Sequence, residues 1–160
     1  MKNEAEITIL VDTREQLPYD FARFVGGEID IILKSATLPE GDYAIDMGQP
    51  WAIVERKSLS DLITCLSGER DRFERELFRL RAYPHAWVIV EGNLDQIVLG
   101  QYRSQMSAMA VVATIAAFSV RYIPILFAGN RETAEMLTWQ LLCKAAREVC
   151  KMAKMAKCLK

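Results

Sequence analysis

Trp51–Leu66 reads Trp-Ala-Ile-Val-Glu-Arg-Lys-Ser-Leu-Ser-Asp-Leu-Ile-Thr-Cys-Leu. Its opening is apolar and β-branched up to Glu55, the composition of a buried strand. From Ser58 the period changes, with Leu59, Leu62 and Ile63 at helical spacing. The stretch therefore predicts a strand over Trp51–Glu55 followed by a helix over Ser58–Leu66, a strand-to-helix junction of an α/β fold.

Working outward, Gly41–Met47 reads as a strand joined to Trp51–Glu55 by a short turn containing Gly48 and Pro50, hence a hairpin. Glu6–Asp12 (Glu-Ile-Thr-Ile-Leu-Val-Asp) and Glu28–Lys34 are two further apolar runs of strand length. Downstream, Arg70–Ala82 places Phe73, Leu77 and Leu80 on one helical face, with arginines and glutamates on the other. Ala86–Glu91 is a strand ended by Gly92. Ser104–Val120 is a helix of small residues, Tyr122–Ala128 a strand, and Arg131 opens a long helix. Pro124 places its strand at an edge or a strand start, because it has no N–H to give a ladder. Clustered strands followed by alternating strands and helices predict an α/β sandwich with a mixed central sheet.

The chain has 160 residues, 51% hydrophobic and 26% charged, the balance of one soluble globular domain over 1–160. A chain of this size buries roughly two-thirds of its unfolded surface and needs no staple to fold. Net charge is −1, so a polyanion partner would be held by a local patch, not by gross basicity. The acidic N-terminus does not read as a signal peptide. The longest apolar run, Ala108–Phe118, falls short of the about 18 residues of a membrane span. No membrane contact is expected, and the setting is intracellular: prokaryotic or phage-infected cytoplasm, or a nucleus. Cys65, Cys143, Cys150 and Cys158 form no Cys-x-x-Cys pair and His85 is the only histidine, which argues against zinc. Cys143 and Cys150, seven apart on one helix face, read as buried reduced thiols. Trp51, Trp87 and Trp139 fall in strand or helix patterns and read as core.

Chemistry is suggested by where the acids lie. An unpaired buried carboxylate costs several kcal/mol, so strand interiors normally exclude Asp and Glu. Yet Asp12 closes the first strand, Asp42 opens the hairpin and Glu55 closes its second arm. Side chains alternate along a strand, so Glu55 and Lys57 share a face and Arg56 points away. Converging carboxylates beside a lysine suit a hard divalent cation and a positioned water, Mg²⁺ or Mn²⁺ in preference to Zn²⁺. Taken alone, Glu-x-Lys is common, and strand-end acids are often solvated. Asp61 has two readings: helix capping with Ser58, or support of the site.

Three ordered motifs sharpen this: Val11-Asp12-Thr13-Arg14-Glu15, Gly41-Asp42-Tyr43, and Val54-Glu55-Arg56-Lys57-Ser58-Leu59-Ser60-Asp61-Leu62. Together they resemble the nuclease domain of the XPF/Mus family of structure-specific endonucleases, whose signature is Gly-Asp, a gap, then Glu-Arg-Lys, three residues and Asp. Val88–Gly92 is similar to the family's next strand, and the resemblance runs from about Ile7 to about Leu142. It implies a restriction-endonuclease-like, three-layer α/β/α fold and Mg²⁺-dependent hydrolysis of DNA at branches, flaps or forks, with Mn²⁺ able to substitute. Carried over, Asp42 and Glu55 are the principal metal ligands, joined by Asp12 and the Arg56 backbone carbonyl. Lys57 positions or activates the attacking water, Asp61 acts from the following helix, and Arg14 and Arg56 contact phosphate or hold the acids in place. Glu15 reads as a partner of Arg14. The rival readings are a Holliday-junction resolvase, a non-catalytic DNA-binding or scaffold subunit, and a relative acting on RNA.

The family's Gly-Arg before the second signature helix is replaced by Ser67-Gly68-Glu69-Arg70-Asp71-Arg72. Either Arg70 or Arg72 takes the phosphate-binding place, or both belong to a solvated, salt-bridged face. No helix-hairpin-helix or helicase segment is recognised, so a separate DNA-gripping partner protein is a further expectation. The tail over about 143–160 carries six basic residues, Lys151 and Lys154 among them, against Glu148 alone. It is either a DNA-phosphate contact or a basic helix end favoured by the helix dipole. Met152 and Met155 offer a third use, seating a partner helix. The later helices, Ala108–Phe118 and the face of Met136, Leu137, Leu141 and Leu142, suggest a homodimer or an ordinary core.

Overall fold

A computed structural model describes residues 5–24, 29–48 and 51–158. Six strands form one mixed sheet in the order β2-β1-β3-β4-β5-β6. These are β1 Ala5–Asp12, β2 Ile29–Ala36, β3 Tyr43–Ile45, β4 Ala52–Ser58, β5 His85–Glu91 and β6 Ile125–Phe127. β3 lies antiparallel between β1 and β4, and the remaining neighbours pair in parallel. The helices are α1 Leu59–Ser67, α2 Arg70–Leu80, α3 Leu94–Val98, α4 Ala108–Arg121 and α5 Arg131–Cys158.

The pleat divides the core in two. Ala44, Ile53, Val88 and Val90 face α1, α2 and α4, where Leu62, Leu66, Phe73, Leu77 and Phe118 are buried. Ile9, Tyr43, Val54 and Ile89 face α5 and meet Ala134, Trp139, Leu142 and Cys143. A sheet covered on both faces by helices is the expected three-layer α/β/α arrangement, and its alternating burial is the period of two carried through the layers. Among the described residues no helix is long and apolar enough to cross a membrane.

Several boundaries differ from expectation. β4 runs to Ser58 instead of stopping at Glu55, because its parallel ladder with β5 continues to the Ser58–Glu91 pair. Glu55 is therefore inside a strand, not at its end. β6 starts at Ile125, after Pro124, whose carbonyl still accepts from the Val88 N–H at 3.0 Å; it is the sheet edge. α4 begins at Ala108 because the Ser107 side chain caps it, accepting from the Ala110 N–H at 3.2 Å. The helix α3 and a 3₁₀ turn at Ala22–Phe24 are too short for a periodic signal. The turn expected around Gly48 and Pro50 falls partly outside the described residues. Cys143 is buried as expected, but Cys150 is exposed. Seven residues carry it about 10 Å along the helix axis, past the buried Ala145 and Ala146.

Candidate active site

Asp12, Asp42 and Glu55 gather on the α1/α2 side of the sheet, around a cavity of about 480 Å³, with Lys57 behind its wall, bonded to Glu55. Its wall includes Asp12, Arg14, Asp42, Glu55, Arg72 and Glu76. Asp42 arrives on the tight entry to β3. Gly41 before it has φ +72°, and a Cβ there would stand 2.6 Å from Ile53 Cγ1, so only glycine fits. The Asp42 N–H donates to the Val54 carbonyl and its own carbonyl accepts from the Asp12 N–H, which ties three motif segments together at 2.8–2.9 Å. Its Oδ2 accepts from the Arg56 backbone N–H at 2.7 Å.

Glu55 and Lys57 point the same way from β4 and form an ion pair of 2.7 Å, both about nine-tenths buried. Glu76, from α2, adds a second carboxylate 3.7 Å from Lys57 Nζ, and the Phe73 ring lies 5.1 Å below it. Burial, opposed by the Arg56 N–H and reinforced by nearby charge, pushes Asp42 up to about 6. Burial and the charge of Asp42 push Glu55 well above the ordinary carboxylate range, although Lys57 works against them. Burial disfavours the Lys57 charge, yet Glu55 and Glu76 outweigh it and hold the ammonium above its usual pKa. Two carboxyls that resist ionisation side by side are relieved by a cation placed between them. Hard oxygen donors of this kind fit Mg²⁺ or Mn²⁺, which bind through one or two carboxylates and keep several waters. Among the described residues no group of three or more Asp, Glu, His or Cys side chains is close enough to hold an ion unaided.

Asp12 is placed differently. Its Oδ1 accepts from the Arg14 N–H and Nε at 2.8 and 2.7 Å, and its Oδ2 from Arg14 Nη2 and the Leu38 N–H at 3.0 and 2.7 Å. The Arg14 side chain, bonded through these contacts, holds Asp12 below its usual pKa against the opposing effect of burial. It also donates to the Leu38 carbonyl at 2.7 Å, and it remains about two-thirds exposed on the cavity rim. Asp61 lies outside the cavity wall. Its N–H donates to Ser58 Oγ and its Oδ2 accepts from that hydroxyl at 2.7 Å, the capping arrangement of α1. Arg72 reaches the cavity while pairing with Glu69; Arg70 pairs with Glu74 and covers Phe118 instead. Lys151 pairs with Glu148 at 2.6 Å far from the site, and the side chain of Lys154 lies outside the described residues.

Arg56 extends from the opposite face of β4, only 15% exposed, into a polar cluster on the α5 side. Glu15 takes its Nε and Nη2 at 3.0 and 2.9 Å, and Glu91, at the end of β5, takes Nη1 at 3.2 Å. Glu15 thus pairs with Arg56 and not with its neighbour Arg14. Burial pushes Glu15 upward, but Arg56 and the Leu17 N–H hold it below the ordinary value. The Tyr19 hydroxyl donates to Glu91 at 2.8 Å and Arg131, opening α5, reaches the same carboxylate at 3.3 Å. The cluster fixes the segment after β1 against β4, β5 and α5. Through Arg56 it also fixes the backbone N–H that holds Asp42.

Glu76, Glu40 and Arg79 also wall the cavity, although no motif marks them. The sequence does carry a signal for Glu76: it occupies the i+3 place of the Phe73, Leu77, Leu80 stripe, where an acid must have a buried partner. Nothing local marks Glu40, which meets Arg79 only in three dimensions.

The ERCC4 domain family matches residues 11–138. No curated protein matches the chain. Among solved structures, XPF from Aeropyrum pernix is similar at 25% identity and a TM-score of 0.66, over 92% of this chain and 69% of that one. The sheet, the two helical layers and the ordered Gly-Asp and Glu-Arg-Lys segments thus belong together by descent as well as by geometry: the chain belongs to the ERCC4 domain family and is an XPF-type nuclease domain.

Proposed function

We propose that the chain is a metal-dependent endonuclease that hydrolyses phosphodiester bonds in DNA at branches, flaps or forks. The observation that carries the reading is the pair Asp42, half-buried, and Glu55, buried, both with raised pKa values and both lining one Arg-rimmed cavity, with Lys57 bonded to Glu55. Asp42, Glu55 and the Arg56 backbone carbonyl are the residues that would hold Mg²⁺, or Mn²⁺ in its place, with Asp12 contributing through water. When bound, the cation supplies charge neutralisation at the phosphate and acidifies a coordinated water. Lys57, kept protonated by Glu55 and Glu76, serves as a donor that orients the attacking water and offsets charge on the phosphate; it is poorly suited to accept a proton. Arg14 and Arg72 stand where a DNA backbone would cross the rim. Asp61 supports the site indirectly, by capping the helix that follows the Glu-Arg-Lys strand.

A homodimer is part of the proposal. Met109 and Val120 are 77% and 90% exposed on α4, and Val98 and Leu99 lie exposed at the end of α3; four such side chains on these neighbouring helices favour a covered face. The protein would act inside the cell, and a separate DNA-gripping partner would sharpen branch choice.

The test is cleavage of end-labelled single-strand, duplex, flap, fork and four-way-junction DNA with Mg²⁺, Mn²⁺ or EDTA, beside Asp42→Asn. Metal-dependent cutting of a branched form, lost by at least about a thousandfold in the variant, is the expected outcome. Symmetric junction cuts would make it a resolvase. Binding without cutting in any metal would leave a scaffold subunit.

A further inference from the structure

Beside the acidic cavity runs an open groove of about 730 Å³, walled by Trp51, Phe78, Tyr83 and Arg79. The two share a wall, since Glu40 and Arg79 line both. Phe78 is the anomaly. It sits on the outer, charged face of α2 beside Glu74, Arg75 and Arg79, and is 66% exposed while its neighbour Leu77 is fully buried. A solvated, salt-bridged helix face has no packing use for a phenyl ring. Trp51, expected in the core, is instead half-buried at the groove, just before β4 and four residues ahead of Glu55. At about 3.3 Å per residue it lies roughly 13 Å along the strand from Glu55.

We propose that this groove is a binding site for the bases of an unpaired DNA strand next to the cleavage site. The inference rests on the nuclease reading of the acidic cavity and deepens it. In a duplex each base is stacked on its neighbours, so its π-face is closed to protein; only an unpaired base can lie on Phe78, Trp51 or Tyr83. Three aromatic rings line the groove, and the arginines run along α2 beside them. Arg72 lies at the acidic cavity, Arg79 at the shared wall, and Arg75 in the adjoining hollow that Phe78 also lines. Arg72 and Arg79 pair with Glu69 and Glu40, so phosphate would have to take these arginines from their acids. Arginines for the backbone beside an aromatic platform for the bases is the single-strand binding mode, and the groove volume is that of an ordinary ligand site. A strand held there would enter the cavity from one side only, so the groove would select the unpaired side of a branch.

The experiment uses the full chain in EDTA, with forked DNA carrying 2-aminopurine within four nucleotides of the branch on the unpaired arm, and a paired duplex of equal length. The expected result is a change in 2-aminopurine fluorescence on binding, abolished in Phe78→Ala. The same variant should bind the fork about tenfold more weakly and the duplex within twofold of wild type, while Phe78→Trp restores the fork. Because Phe78 is exposed, an unchanged melting temperature verifies folding. No fork binding, or equal effects on fork and duplex, or no effect on either, overturns the proposal. If wild type cuts DNA while Phe78→Ala changes nothing, the groove falls and the nuclease reading stands. If no metal supports cutting but the fork-specific loss appears, the groove stands and the nuclease reading falls.

Discussion

At the scale of single residues, the site is defined by carboxyls that the fold keeps from ionising freely. Asp42 is raised to about 6 from an ordinary value of 3.8, so the stability it contributes is complete below pH 3.8 and is lost as pH rises through 6. Metal-free protein should therefore lose stability between about pH 4 and pH 7 relative to Asp42→Asn. At pH 7.5 the variant should be more stable by on the order of 3 kcal/mol, one pKa unit being about 1.4 kcal/mol. Thermal melts across that range check it; a variant less stable than wild type at pH 7.5 would make Asp42 a structural carboxylate. Adding Mn²⁺ should raise the melting temperature of wild type and leave Asp42→Asn unmoved. Lys57→Ala should lower kcat at least about a hundredfold with little change in DNA affinity, read from single-turnover rates beside binding isotherms. Equal losses in both would place Lys57 in DNA binding.

At the scale of elements, β4 works as a two-sided bar. One face carries Glu55 to the cavity with Lys57 bonded to it, and the other carries Arg56 to Glu15 and Glu91. Breaking one partner of a buried pair leaves a charge unpaired, which costs about 3–5 kcal/mol when burial is complete. Here Glu15 still pairs with Arg56 and offsets part of that cost, so Glu91→Gln should destabilise by about 1–3 kcal/mol in urea unfolding. It should also lower Mn²⁺ affinity, because the Arg56 N–H that holds Asp42 is set by the same strand. A loss of stability with metal affinity intact would confine the cluster to folding. Gly41→Ala tests the adjoining element: φ +72° and an approach of 2.6 Å predict a loss of about 1–3 kcal/mol, through strain on β3 and β4.

At the scale of the whole molecule, the proposed dimer is tested on the apolar residues of α4 and the proposed DNA contact of the tail on the basic end of α5. Val120→Lys should convert a dimer to a monomer in sedimentation velocity without lowering the melting temperature of the monomer, since Val120 is 90% exposed. A wild-type monomer at micromolar concentration would remove the dimer. Truncation after Cys150 should weaken duplex binding at low salt and flatten the slope of affinity against salt by about 0.9 for each phosphate the tail no longer neutralises. An unchanged slope would leave the tail a helix end favoured by its dipole.

Much of this is open to reading in the residues themselves. The change of period at Trp51–Leu66 determined a strand running into a helix, because alternation and helical spacing are local properties of a chain. The Gly-Asp and Glu-Arg-Lys spacing determined that Glu55 and Lys57 share a face with Arg56 opposite, because a strand admits no other arrangement. What only the tertiary structure decided are relations between segments far apart in the chain. Asp12 is engaged by Arg14 and Leu38, Glu15 crosses the molecule to Arg56, Glu76 closes the site from α2, and Trp51 opens onto a groove instead of entering the core. Burial sets those outcomes: a charge removed from water takes the partner that three-dimensional packing brings to it, whatever its distance in sequence.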